Sequence, residues 1–95
     1  MRLRAHIPVV PKLSFFYGIS IYMYPRDQNP PHFHAIYGEF SAQVLISDGE
    51  IINGNLPRRA ERLVNEWLLA HRLEINQAWI KLQGGKSVEA IEPLR

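Results

Sequence analysis

NPPHFHAIYGEF, residues 29–40, is the stretch that decides the fold. Its two consecutive prolines end whatever structure precedes them, because proline has a fixed φ and no backbone N–H to donate. From residue 32 to residue 37 two histidines alternate with apolar residues, and Gly38 follows. This alternation predicts a β-strand, and the glycine predicts a tight turn into the next strand.

The same alternation decides which side chains share a face of this strand. His32 and His34 lie on one face, about 7 Å apart along the strand, and Phe33 lies on the other. A strand that buries Phe33 presents both imidazoles on the open face, whereas a strand that buries Ile36 places them under the helices. The pattern favours Phe33 as the buried residue, so we expect the two histidines to face outward together.

Runs of aromatic and β-branched residues predict further strands on both sides. Residues 39–46 predict the strand that follows the Gly38 turn, and residues 50–53 and 88–91 predict two shorter strands. Residues 14–24 predict the first strand, whose expected core face carries Phe15, Tyr17, Ile19, Ile21 and Met23.

Apolar residues recur at three- and four-residue spacing after Pro57, which predicts a helix. Pro57 suits the first helical turn, and Asn55 is the candidate cap before it. The apolar stripe runs to His71, where we expect a bend or a short break, and helical spacing then continues to Gln83. Glycines follow directly and are expected to close the helix.

These elements predict an α+β fold, in which a small antiparallel sheet of three to five strands has one face covered by one long or two consecutive helices. We expect residues 14–95 to form a single α+β domain. Residues 1–13 are expected to form an irregular N-terminal arm, because Pro8 and Pro11 interrupt regular pairing there.

The composition excludes several kinds of protein. The chain has no cysteine, so disulfides, thiolate nucleophiles and cysteine zinc sites are excluded. No apolar run approaches the roughly 20 residues that span a bilayer, and we expect a cytoplasmic protein without membrane association. The sequence has no glycine-rich phosphate loop and no nucleophile elbow. We therefore expect no cofactor, with a divalent metal ion as the one exception that the histidines would allow.

Separated blocks of sequence carry a family resemblance. They are FFYGI (15–19), NPPHFH (29–34), YGE (37–39), LPRRA (56–60) with LV (63–64) and EW (66–67), HR (71–72) and IEPL (91–94). In this order they resemble DUF4160, a family of small bacterial proteins of unknown function, over residues 14–94. The family's usual pattern around the histidines is Asp-His-Asn-Pro-Pro-His-Phe-His, whereas this chain has Gln28 at the second position.

The resemblance implies a small cytosolic protein, often encoded beside a second small protein. Such pairs are suspected of being toxin–antitoxin or regulatory modules, so the resemblance implies a partner protein. It assigns no activity and no catalytic residue. Gln28 also removes one histidine from any three-histidine site in this stretch.

His32 and His34 are the candidate catalytic and metal-binding residues. Two imidazoles on one strand face can bind one Zn²⁺, Ni²⁺ or Mn²⁺, or can act as an acid–base pair. A catalytic metal site normally has three protein ligands, and Asp27, Glu39 and His71 are the candidates for the third. Alternatively, both histidines are polar side chains of the open sheet face, or they fix the Pro-Pro loop through hydrogen bonds.

Arg58, Arg59 and Arg62 are the candidate anion-binding residues. They fall at the start of the main helix, where the helix dipole disfavours each cation by roughly 0.3–1 kcal/mol. Together with the free N–H groups of the helix start, they would bind a phosphate or a carboxylate. Alternatively, Arg58 pairs with Glu61 and Arg62 pairs with Glu66 as ordinary surface ion pairs.

Two functions follow from these residues and from the resemblance, and a third reading is a plain metal-binding protein that uses His32 and His34. The first is an interaction module that binds a partner protein through the arginines, with a nucleic acid as a further candidate ligand. The alternative is a small nuclease or phosphodiesterase, in which His32 and His34 act with or without a metal and Arg58 or Arg59 holds the phosphate. This enzyme needs both groups in one cleft, so a separation of more than about 15 Å would exclude it. An exposed edge strand would also allow a homodimer.

Overall fold

A computed structural model describes residues 12–95 as one five-stranded antiparallel sheet and one long helix. The strands follow one another across the sheet in chain order. The predicted α+β fold is confirmed. The elements are β1 (Lys12–Phe16), β2 (Ile19–Tyr22), β3 (His32–Tyr37), β4 (Phe40–Leu45), β5 (Ile51–Gly54) and α1 (Arg58–Gln83).

The single strand predicted over residues 14–24 is wrong, because this segment forms two strands joined by a hairpin. Tyr17 and Gly18 have φ values of 50° and 82°. Positive φ at both central residues is the mark of the two-residue turns that connect hairpins. The turn shifts the alternation by one residue, so Phe16 is buried whereas Phe15 is 55% exposed.

β1 begins inside the predicted N-terminal arm. Lys12 and Leu13 are its first residues, and Leu13 is fully buried. The rest of that arm, residues 1–11, lies outside the described part of the chain. The backbone N–H of Ile91 donates to the carbonyl oxygen of Leu13 at 2.7 Å, so the C-terminal segment returns to this edge of the sheet. The strand predicted at residues 88–91 is not formed.

One face of the sheet packs against α1 and forms the core. The ring of Trp67 lies 5.6 Å from that of Phe16 and 5.5 Å from that of Phe33, centroid to centroid. Phe33 is fully buried, as predicted, and the side chains of His32 and His34 leave β3 on the opposite side. The expectation that both imidazoles face outward is wrong for His32, which is only 5% exposed and lies against α1. The same core face carries Ile19, Ile21, Met23, Ala35, Ala42, Val44 and Ile46.

α1 is a kinked helix. It begins after Pro57 without a side-chain cap, so the predicted Asn55 cap is not formed. His71 has non-helical values of φ −131° and ψ 24°, which confirms the predicted break. Beyond the break the helix runs to Gln83, and Gly84 caps it. In the described residues, no helix has the length and apolar character to cross a membrane.

Phe33→Ala is expected to lower the free energy of unfolding by about 3–5 kcal/mol, because it leaves a cavity against Trp67. Phe15→Ala is the matched control, since the same side chain is 55% exposed there. Its loss should stay near 0.5 kcal/mol, roughly as for other surface substitutions. Urea unfolding measures both, and equal losses would contradict the assignment of the buried face.

Candidate metal centre

Asp27, His32 and His34 converge on one point beside β3. The Nε2 atoms of His34 and His32 lie 2.9 Å and 3.2 Å from the same carboxylate oxygen, Oδ2 of Asp27. One potential ligand atom of each residue lies within 4.8 Å of the other two. The structure therefore joins Asp27, a predicted third-ligand candidate, to the histidine pair.

The alternation of β3 and the loop before it place these three side chains. Because Phe33 points into the core, His32 and His34 project together from the other face. Asp27 lies in the loop between β2 and β3. The side-chain amide of Gln83 donates to the backbone carbonyl oxygen of Asp27 at 3.2 Å. The last turn of α1 thus tethers the loop that carries the carboxylate.

The ring of His32 is held in one orientation. The residue is only 5% exposed, and its Nδ1 lies 2.8 Å from the backbone carbonyl oxygen of Pro30. A carbonyl oxygen only accepts, so Nδ1 is the nitrogen that carries the proton and donates. In the neutral ring, Nε2 then presents a lone pair to Oδ2 of Asp27, and two acceptors face each other. That contact is favourable only when a proton or a cation lies between them.

Aromatic rings enclose the cluster on two sides. The ring of Trp79, on α1, lies 5.5 Å from that of His32, and the ring of Tyr24 lies 4.4 Å from that of His34. The two imidazole centroids are themselves 5.2 Å apart. Rings at these distances exclude water from part of the site, which strengthens electrostatic contacts within it.

A cleft of about 440 Å³ opens beside the cluster. Asp27 and His32 form part of its wall, so a ligand in the cleft would reach the cluster. Gln28 also lies in the wall and adds an amide. The full set of lining residues is Arg26, Asp27, Gln28, Asn29, Pro30, His32, Gln43 and Ile52.

The other two candidates for a third ligand lie elsewhere. Glu39 is exposed in the turn between β3 and β4. His71 donates from Nδ1 to Oε1 of Glu74, its neighbour on α1, at 2.7 Å. Neither belongs to the cluster that could hold a metal ion.

Arg58, Arg59 and Arg62 lie exposed at the start of α1, at the far end from the cluster. Trp79, which contacts His32, is in the last part of the same helix. A rise of 1.5 Å per residue separates Arg58 from Trp79 by about 30 Å, and even a right-angle bend at the break would leave about 20 Å. The arginines and the histidines therefore form two separate groups. This separation along α1 gives no support to the single-cleft enzyme, in which Arg58 or Arg59 holds the phosphate.

Sequence reasoning missed three residues around the cluster. Arg26 and Gln43 line the cleft, and Gln83 tethers the loop. The turn at Gly38 could have predicted that Gln43 lies opposite His34, because a hairpin's turn fixes its register. No pattern in the sequence predicts the tether or the position of Arg26, since both depend on tertiary packing.

The comparison with protein families finds the resemblance that the sequence blocks indicate. Residues 18–80 match the family model DUF4160, a domain of unknown function. The matched segment contains Asp27, His32 and His34. No curated protein and no solved structure matches the chain.

Proposed function

Because the chain belongs to the DUF4160 family, whose function is unknown, we propose a function from the cluster itself. Asp27, His32 and His34 bind one divalent transition-metal ion, and the metal-loaded protein is a small hydrolase. The observation that supports this proposal is the convergence of two Nε2 atoms on one carboxylate oxygen. Each step of the argument rests on the distances and partners of these three side chains.

The spacing of the ligand atoms suits a metal ion. Zinc–nitrogen and zinc–oxygen distances are about 2.1 Å. Ligand atoms at that distance from one ion lie about 3.4 Å apart in a tetrahedron and about 3.0 Å apart at neighbouring corners of an octahedron. The observed separations from Oδ2 of Asp27 are 2.9 Å for His34 and 3.2 Å for His32. Little movement would admit the ion.

The orientation of His32 also suits a ligand. Metal-binding histidines almost always donate their second ring N–H to a carbonyl or carboxylate oxygen, which fixes the tautomer. The Pro30 carbonyl oxygen provides that acceptor for Nδ1, at 2.8 Å, and leaves Nε2 free to coordinate. Two imidazoles and one carboxylate favour Zn²⁺, Mn²⁺, Fe²⁺ or Ni²⁺ over Ca²⁺ or Mg²⁺.

The number of ligands favours a catalytic site over a structural one. Structural zinc sites have four protein ligands, whereas catalytic sites have three and keep one position open for water or substrate. Within the described residues the cluster has three, and the cleft beside it gives access. A divalent ion in such a site activates a bound water for hydrolysis.

Protein freed of metal by a chelator is expected to bind one Zn²⁺ or Mn²⁺ per chain in calorimetric titration. His32→Ala, His34→Ala and Asp27→Ala should each weaken binding by more than about 100-fold. Each removes one ligand, and loss of a group that only orients a ligand already weakens binding by roughly 10–100-fold. At a metal concentration 100 times Kd, binding should also stabilise the fold by about 2.7 kcal/mol.

His71→Ala and Glu39→Ala are the matched controls for this titration. They remove an imidazole and a carboxylate that lie outside the cluster, so their affinity should equal that of the unchanged chain. Unchanged binding in the three cluster variants would contradict the metal site. Metal-dependent release of nitrophenol from nitrophenyl carboxylic and phosphate esters tests the hydrolase, and no turnover by the metal-loaded protein would contradict it.

A second candidate function, the binding of a partner protein, is favoured by the outer face of α1. Leu69, Leu73 and Ile80 are 71%, 72% and 67% exposed. Their spacing of four and seven residues places them on one stripe, opposite the core face of the helix. Exposed apolar stripes of this kind often mark interaction surfaces.

The charge of the same face indicates what the partner carries. Arg58 and Arg62 precede Leu69 at helical spacing, and Arg59 flanks them. Of these three arginines, only Arg62 has an ion-pair partner among the described residues, Glu66 at 3.9 Å. The charge favours an acidic partner, and the proposed occupant is an amphipathic helix with an apolar stripe and acidic residues at one end. The second small protein that the family resemblance implies, the neighbouring gene product, is the proposed source of this helix.

Leu69→Asp/Leu73→Asp and Arg58→Glu/Arg62→Glu are each expected to abolish co-purification of the neighbouring gene product with this chain. Phe15→Asp is the control, since it adds the same charge at an exposed apolar residue on the sheet. Complex formation that survives both double variants would contradict this surface. Binding of a nucleic acid or of a second copy through these residues, without the partner, would contradict the proposed occupant.

A further inference from the structure

Among the described residues 12–95, Arg26 is the one arginine or lysine in the wall of the cleft beside the metal-binding cluster. None of the described carboxylates lies within ion-pair distance of its guanidinium. Residues 1–11 contain no Asp or Glu that could serve instead. The guanidinium of Arg26 therefore has no carboxylate of this chain as an ion-pair partner.

The backbone of Arg26 is strained. Its φ of 67° lies in the left-handed region, which glycine adopts freely and an arginine adopts at a cost. Strained residues of this kind cluster at ligand sites, where the conformation positions a side chain. Here the strained residue directly precedes Asp27, so one loop carries both the cation and the carboxylate of the cluster.

We propose that the cleft binds a phosphate ester, with Arg26 pairing two phosphate oxygens and a third reaching the metal ion held by Asp27, His32 and His34. This inference rests on the proposed metal site. A phosphate monoester has three free oxygens, two for the guanidinium and one for the metal ion. A carboxylate has only two. The amide side chains in the wall are Gln28, Asn29 and Gln43.

The size and chemistry of the cleft suit such a ligand. A volume of about 440 Å³ falls in the range of small-molecule sites. The guanidinium is planar and donates two parallel hydrogen bonds, which matches a phosphate group. Hydrolysis of the ester needs only water: its oxygen bonds to phosphorus, the ester P–O bond breaks, and the leaving oxygen takes up a proton.

The test is ³¹P NMR of phenyl phosphate and of diphenyl phosphate with the Mn²⁺-loaded full chain. A bound phosphate beside Mn²⁺ has a strongly broadened signal, and titration gives its affinity. Arg26→Gly and Arg26→Gln should weaken that affinity at least tenfold while Mn²⁺ binding, measured separately, stays unchanged. Arg26→Lys should retain part of it. Arg26→Gly should unfold at no lower temperature than the unchanged chain, since glycine suits that φ.

Arg59→Gln is the matched control, because it removes an exposed arginine at the far end of α1. It should leave phosphate binding unchanged. The inference would be overturned if the ³¹P signal stayed broadened with Arg26→Gly, or if Arg59→Gln removed the broadening. Either result would leave the proposed metal site in place. Equal, Arg26-dependent binding of benzoate would overturn the choice of a phosphate. Failure to bind Mn²⁺ at all would instead overturn the proposed function. Phenyl phosphate, which has three free oxygens, should bind more tightly than diphenyl phosphate, and the reverse order would overturn the three-oxygen contact.

Discussion

The packing of Phe33 against Trp67 is the contact on which the rest of the structure depends. The two rings meet edge to face, with centroids 5.5 Å apart and planes at 84°, a favourable geometry for aromatic pairs. This contact fixes which face of β3 is buried. A slip of one residue would turn Phe33 outward and move both histidines into the core. The position of the imidazoles therefore follows from a core contact on the opposite side of the strand.

α1 connects this core to the candidate metal centre. Its first half carries Trp67, and its second half carries Trp79, which packs against His32, and Gln83, which holds the loop of Asp27. The break at His71 lies between the two halves. One helix thus buries the sheet and positions the carboxylate, so damage to the core is expected to loosen the site as well.

The parts of the site that could be predicted are those that local periodicity determines. Alternation placed His32 and His34 on one face and Phe33 on the other, because the period of a strand is local. The alternation could not predict that Asp27, rather than Glu39 or His71, lies beside the two histidines. The position of a loop depends on packing against residues far along the chain. Glu39 is close to His34 in the sequence, and His71 lies on the apolar stripe of the helix. Neither residue belongs to the cluster.

The same limit explains the errors in the fold. The strand over residues 14–24 was predicted as continuous because Tyr17 is a strong strand former, and its positive φ in the turn is not visible in its residue type. The distance from Arg58 to the histidines likewise depends on where α1 ends. The predicted length of the helix indicates a large separation only when the position of the helix on the sheet is also known.

The central claim is that Asp27, His32 and His34 together hold one metal ion. The most direct measurement is a crystal structure of the zinc-loaded protein with anomalous scattering recorded at the zinc edge. The expected result is one anomalous peak within about 2.0–2.2 Å of both Nε2 atoms and of an Asp27 carboxylate oxygen. A fully loaded crystal with its peak elsewhere, such as at His71 and Glu74, would contradict the claim.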